Sequence, residues 1–134
     1  MIFKLKMPGK SPAAPPATTR SKGAAAENAA LEYLQAAGLA LVERNFKTPG
    51  RGGGEIDLIM RDAGGALIFV EVRARRTRAA GGAAASVTAT KQRRIILAAQ
   101  HYLLRYGNPP ACRFDVVAIE GGDIAWIQGA FSAQ

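Results

Sequence analysis

Two segments of alternating side chains around a glycine turn constrain the fold of this chain most. Every second residue is apolar from 56 to 60 and from 68 to 72, within the segments 55–61 and 67–75, and Gly64 and Gly65 lie between these segments. This pattern predicts a β-hairpin. Because successive strand side chains point to opposite faces, one face is predicted to collect an apolar wall. The wall consists of Ile56, Leu58, Met60, Ile68, Val70 and Val72.

The register of this hairpin follows from its turn. A turn symmetric about Gly64 pairs Leu58 with Val70 and Asp57 with Glu71. A slip of one residue would turn the carboxylates into the apolar wall, so the pattern resists it. The sequence therefore predicts two directly opposed carboxylates, an arrangement that is destabilising without compensation.

Three kinds of compensation remain open for Asp57 and Glu71. A hard divalent cation is commonly held by two carboxylates and waters. Arg73, Lys91 or another base can neutralise the pair without any metal. A raised pKa on one carboxylate is the third alternative.

The elements around the hairpin give the fold class. The predicted order is helix 22–37, strand 39–46, the hairpin, helix 89–106, and strands 113–119 and 123–128, with Thr88 as the N-cap of the second helix. This αβββαββ order predicts an α/β (α+β) domain with a mixed central sheet flanked by helices. The domain is expected to span 21–134. The proline-bearing segment 1–20 is expected to be a tail that is disordered or folds on a partner.

Composition limits the function. The 134 residues suffice for one domain, and the net charge of +8 with a pI near 10.3 favours a polyanionic partner. A solvated basic surface would have the same composition. No apolar run long enough for a membrane span and no signal peptide are recognisable. The single cysteine, Cys112, fits a reducing cytoplasm and is expected to be buried.

Glu27 is a third candidate acid. It shares the apolar stripe of the first helix with Leu31 and Leu34, so it is expected to face a partner on the core side. The alternative is a helix-end carboxylate near the N-terminal dipole.

Several motifs together resemble one family. They are Gly54-Glu55-Ile56-Asp57-Leu58-Ile59, Phe69-Val70-Glu71-Val72-Arg73, Val87-Thr88-Ala89-Thr90-Lys91-Gln92 and Arg113-Phe114-Asp115-Val116-Val117. Over about residues 21–131 the chain resembles the YraN family. These uncharacterised bacterial proteins are expected to be endonucleases similar to archaeal Holliday-junction resolvases, within the PD-(D/E)xK superfamily. The resemblance implies a restriction-endonuclease-like fold.

The resemblance also implies roles for residues. It makes Asp57 and Glu71 the two acids of the motif and metal ligands, Glu27 a further ligand and Arg73 the occupant of the lysine position. Lys91 and Gln92 match a basic-polar pair near the site of similar nucleases, which makes Lys91 catalytic and Gln92 a nucleic-acid contact. The implied cofactor is Mg²⁺ or Mn²⁺.

Two positions depart from the superfamily pattern. Ile56 replaces the proline of the signature, which is a minor change. Arg73 replaces the lysine, and arginine stays protonated, so it cannot serve as a base. It can still clamp a phosphate with two hydrogen bonds.

Three functions remain open. The first is a metal-dependent endonuclease acting on DNA, including branched DNA, with Arg75, Arg76 and Arg78 on backbone phosphates. The second is a catalytically inactive nucleic-acid-binding module on the same fold. The third is an interaction protein with an acidic partner. The expected partner is nucleic acid, foremost DNA, with no membrane; a homodimer is compatible with the sequence.

Overall fold

The structure is a computed structural model that describes residues 19–50, 52–75 and 87–133. The elements are α1 (Thr19–Ala36), β1 (Ala40–Lys47), β2 (Glu55–Arg61), β3 (Leu67–Arg75), α2 (Ala89–Leu103), β4 (Cys112–Glu120) and β5 (Asp123–Phe131). Their order is the predicted αβββαββ order.

The strands form one five-stranded sheet in the order β1-β2-β3-β4-β5. All neighbours are antiparallel except β3 and β4, which are parallel. A parallel pair needs a crossover connection, and α2 lies within it. The predicted mixed sheet is confirmed.

The helices cover opposite faces of this sheet. On one face, Ala30, Tyr33 and Leu34 of α1 pack into the α1-side core together with Val70. On the other, the α2-side core gathers side chains of α2 and the sheet, including Ile95, Tyr102 and Phe69. Because Val70 and Phe69 are successive residues, β3 is buried on both faces, as expected of a central strand.

The hairpin prediction is accurate in its bounds and register. Strands β2 and β3 match 55–61 and 67–75, and Leu58 pairs with Val70. The apolar wall is correct except at one position. Leu58 and Met60 lie in the α1-side core, but Ile56 lies in the α2-side core. The strict alternation assumed for β2 therefore fails between Ile56 and Leu58, at Asp57.

Other boundaries differ by a few residues. Helix α1 begins at Thr19, so the predicted tail 1–20 lies outside the described residues except for its last two positions. Helix α2 starts as predicted, with the Thr88 hydroxyl accepting from the Lys91 amide at 3.1 Å, but ends at Leu103.

The prediction of a buried cysteine is wrong. Cys112 is exposed, because it is the first residue of β4 and precedes the part of that strand that enters the core. Among the described helices, none is long and apolar enough to cross a membrane.

Candidate functional site

The candidate site lies where β2 and β3 separate. Their backbone pairing ends at Leu58 and Val70, one residue before the two acids. Past that point a cleft of about 390 Å³ opens between α1, the sheet and the first turn of α2. Its charged lining residues are Glu27 from α1, Asp57 from β2, Glu71 and Arg73 from β3, and Lys91 from α2. The five residues predicted to be catalytic or metal-binding thus line one cleft.

The side chain of Asp57 accepts a hydrogen bond from the backbone of β3 where the ladder between β2 and β3 has ended. The Val72 amide donates to Asp57 Oδ2 at 2.9 Å, so a side chain replaces the bond that the ladder would have made. Burial and the adjacent Glu71 carboxylate raise the pKa of Asp57 to about 7, although the Val72 amide opposes that shift. Near neutral pH Asp57 is therefore partly protonated.

Glu71 lies at the floor of the cleft, only 3% exposed. Two basic groups approach the same oxygen, Oε2: Lys91 Nζ at 3.4 Å and Arg73 Nη1 at 3.7 Å. Both basic side chains are partly exposed, so each presents charge to the open cleft as well as to Glu71. The sequence alternative in which bases neutralise the carboxylates is thus realised at Glu71.

Glu27 is held from β1. Arg44 Nη2 lies 3.5 Å from Glu27 Oε1, and the Asn45 side chain also donates to this carboxylate. Burial, and secondly the charge of Asp57, raise the pKa of Glu27, while its bonds to Asn45 and Arg44 oppose the rise. The core-side orientation predicted for Glu27 is correct, and its partners are Arg44 and Asn45.

The backbone of Asn45 explains how two neighbouring side chains reach one acid. Successive strand residues normally point to opposite faces. Asn45 has φ +52°, a left-handed conformation that asparagine tolerates better than most residues. This irregularity lies opposite Asp57, between the pairs Arg44–Leu58 and Phe46–Ile56. Sequence reasoning missed Arg44 and Asn45; an asparagine inside a strand was the available signal.

The donor set of the cleft fits a hard divalent cation. In the described part of the chain, no group of three or more His, Cys, Asp or Glu side chains is arranged to hold a metal. Magnesium, however, is usually bound by one or two carboxylates and several waters. Asp57 and Glu71 supply that minimum. Asp57 accepts from the Val72 amide at Oδ2 and is also hydrogen-bonded to Glu71, a contact that a bound cation would replace.

The predicted nucleic-acid contacts are less well placed by the structure. Arg75 ends β3, and its side chain lies outside the described residues, as do Arg76 and Arg78. Gln92 donates from Nε2 to the Val87 carbonyl at 3.1 Å and does not line the cleft. Its amide therefore fixes the entry to α2 in this structure.

Comparison with known proteins identifies close relatives. The sequence model of the family described as "Uncharacterised protein family UPF0102" matches residues 26–119. A "UPF0102 protein" of Acidovorax sp. (strain JS42) is 62% identical over 120 residues, which cover 90% of this chain and 91% of the relative. One of Paracidovorax citrulli (strain AAC00-1) is 58% identical over 132 residues and 98% of each chain.

Proposed function

Since the chain belongs to the uncharacterised protein family UPF0102, whose description assigns no activity, we propose from the geometry of its cleft that it is a metal-dependent endonuclease acting on DNA phosphodiesters. The observation that carries the proposal is the pairing of Asp57 with the buried Glu71 at the floor of an open cleft. Two adjacent acids, one of them buried, cost stability, so their presence in an open cleft favours a functional reason.

The cleft brings together the groups that phosphodiester hydrolysis needs. Asp57 and Glu71 would hold Mg²⁺ or Mn²⁺, with Glu27 contributing directly or through a water. When bound, such a cation lowers the pKa of a coordinated water and neutralises charge on the phosphate.

The basic residues have separate tasks in this proposal. Arg73 stays protonated and can donate two parallel hydrogen bonds to a phosphate. Lys91 stands at the start of α2 and remains 44% exposed, so its ammonium can reach both Glu71 and the attacking water. Both groups balance the negative charge that gathers at the cleft when a phosphate enters it. Arg75, Arg76 and Arg78 would bind flanking phosphates.

A cleavage assay tests the proposal. Single-stranded, duplex and branched DNA would be incubated with the purified protein and Mg²⁺ or Mn²⁺, with EDTA as the negative control. We expect cutting that is lost in Asp57→Asn and Glu71→Gln and kept in Glu32→Gln, which removes an exposed charge from α1 outside the cleft. Direct Mn²⁺ binding by calorimetry should follow the same pattern. No cutting of any of the three substrates with either metal would contradict the proposal.

One observation favours a second candidate, a catalytically inactive nucleic-acid-binding module. Lys91 and Arg73 both approach Glu71 Oε2, so the acid is partly neutralised by the protein itself. This candidate predicts DNA binding that weakens with salt, needs no divalent cation and survives Asp57→Asn. Metal-dependent cutting by a homogeneous preparation would exclude it.

A further inference from the structure

A second cleft adjoins the carboxylate site across Glu27. It has a volume of about 560 Å³, within the range of ligand pockets in proteins. Glu27 and Gly23 of α1 line both clefts. The remaining polar lining comes from Asn45 and Lys47 of β1 and Glu55 of β2. A polymer with a phosphate at Asp57 that runs past Glu27 toward β1 would have its neighbouring unit beside this second cleft.

The second cleft offers both hydrogen-bond acceptors and a cationic donor. The Asn45 amide nitrogen is engaged by Glu27, which leaves its carbonyl oxygen as an acceptor. Glu55 adds a carboxylate and Lys47 an ammonium group, and both side chains are exposed. Lys47 and Glu55 are opposed across β1 and β2, yet no ion pair of the described residues joins them. Their polar atoms therefore remain available to a ligand.

We propose that this second cleft is a base-binding subsite for an unpaired nucleotide next to the phosphate at Asp57 and Glu71, and that it prefers cytosine to thymine. The inference rests on the proposed function for the position of that phosphate. A base stacked inside a duplex cannot enter a concave cleft, so the nucleotide must be single-stranded or splayed out of a helix.

The preference follows from the chemistry of the base edges. Cytosine carries an exocyclic amino group, a donor that matches the Glu55 carboxylate and the Asn45 carbonyl oxygen. Thymine carries a carbonyl oxygen at the same ring position, which would face the carboxylate acceptor to acceptor. Both pyrimidines share the second carbonyl oxygen, so a contact from Lys47 to that atom does not distinguish them.

Binding of labelled oligonucleotides tests the subsite without any cleavage. Fluorescence anisotropy in EDTA would compare short runs of deoxycytidine and deoxythymidine, which lack strong differences in size. We expect the cytosine run to bind about tenfold more tightly, the effect of one well-made base contact. Glu55→Gln should reduce the difference, because an amide can also donate to the thymine carbonyl, while the Asn45 carbonyl oxygen still accepts from cytosine. Lys47→Ala should weaken both ligands and leave their ratio unchanged.

A matched control removes the same charge elsewhere. Glu32→Gln should keep the wild-type ratio because Glu32 is exposed on α1 and does not line either cleft. Equal affinity for the two runs, a ratio unaffected by Glu55→Gln, or binding to duplex DNA alone would each overturn the subsite.

The two proposals fail separately. A protein that prefers cytosine but never cuts DNA would refute the nuclease and leave the subsite intact. A protein that cuts DNA with metal but binds both runs equally would refute only the subsite.

Discussion

Removing the charge of Asp57 should stabilise the protein at neutral pH and above. The substitution is Asp57→Asn, which keeps an oxygen that can accept from the Val72 amide but cannot ionise. The wild-type carboxylate has a pKa near 7 in the fold against 3.8 for the unperturbed group. Ionised Asp57 is thus disfavoured by its own site.

The direction and size of the effect follow from proton linkage. Between these two pKa values the folded state holds a proton that the unfolded state has lost, so wild-type stability falls as pH rises. Below the lower value both states are protonated, and above the higher value neither is. Between about pH 5 and about pH 8 the pH passes the pKa of Asp57 in the folded state. About two pKa units at about 1.4 kcal/mol each lower the free energy of unfolding of the wild type by about 3 kcal/mol relative to Asp57→Asn. That value is an upper figure, because the site can relax as Asp57 ionises.

Urea denaturation of wild type and Asp57→Asn at both pH values measures the effect. The difference between the two proteins cancels most other titrating groups, which they share. We expect the free energy of unfolding of Asp57→Asn to exceed that of the wild type by a margin that grows with pH. The difference between Glu32→Gln and the wild type should not grow with pH. Adding Mg²⁺ above neutral pH should raise the free energy of unfolding of the wild type but not that of Asp57→Asn, because a ligand that binds only the folded state stabilises it.

A pH-independent difference would refute the reasoning, as would a margin that shrinks as pH rises. Either result would mean that burial and Glu71 do not hold a proton on Asp57 in the folded state.

Four further outcomes are expected. Mn²⁺ affinity, measured by calorimetry, should rise by up to about tenfold per pH unit until the pKa of Asp57 is passed, because binding displaces its proton; a flat profile would contradict this. Lys91→Ala should cost under about 1 kcal/mol in urea denaturation, because the side chain is 44% exposed, yet abolish cutting; retained metal-dependent cutting would exclude its water-orienting role. Gly54→Ala should lower the free energy of unfolding by about 3 kcal/mol, because a Cβ there collides with the Arg94 carbonyl oxygen. A melting temperature equal to that of the wild type would contradict this. Asp115→Ala should lower the free energy of unfolding by about 3 to 5 kcal/mol, because Asp115 is fully buried and accepts from Arg113 Nε, Trp126 Nε1 and the Gly129 amide. Asp115→Asn should cost less in the same urea denaturation.

The hairpin was predictable because its signals are local. Alternation, turn glycines and the penalty for burying carboxylates all specify one register, and Leu58 pairs with Val70 as that register requires. The same local signals predict that Asp57 and Glu71 face each other, without any appeal to the family resemblance. Before the resemblance, Lys91 is only one of several bases that could neutralise the pair, because its approach to Glu71 depends on how α2 crosses the sheet.

The partners of Glu27 were not predictable from periodicity. Arg44 and Asn45 are neighbours, and a regular strand would have separated them onto two faces. The left-handed backbone at Asn45 and the displaced Ile56 belong to one irregularity shared by β1 and β2 beside Asp57. Functional sites often depart from regular geometry in this way, which is why pattern rules fail there.

The parallel pairing of β3 with β4 predicts an order of assembly. The hairpin β2–β3 closes a short loop, whereas β3 meets β4 only after α2 has crossed the sheet. Long loops close more slowly, so the two carboxylates approach each other before Lys91 can reach Glu71. The repulsion between the acids is then uncompensated by Lys91 during folding, and protonating Asp57 should speed refolding as well as stabilise its product. We therefore expect the acid pair to slow the early steps of folding until β3 has paired with β4 and Lys91 reaches Glu71.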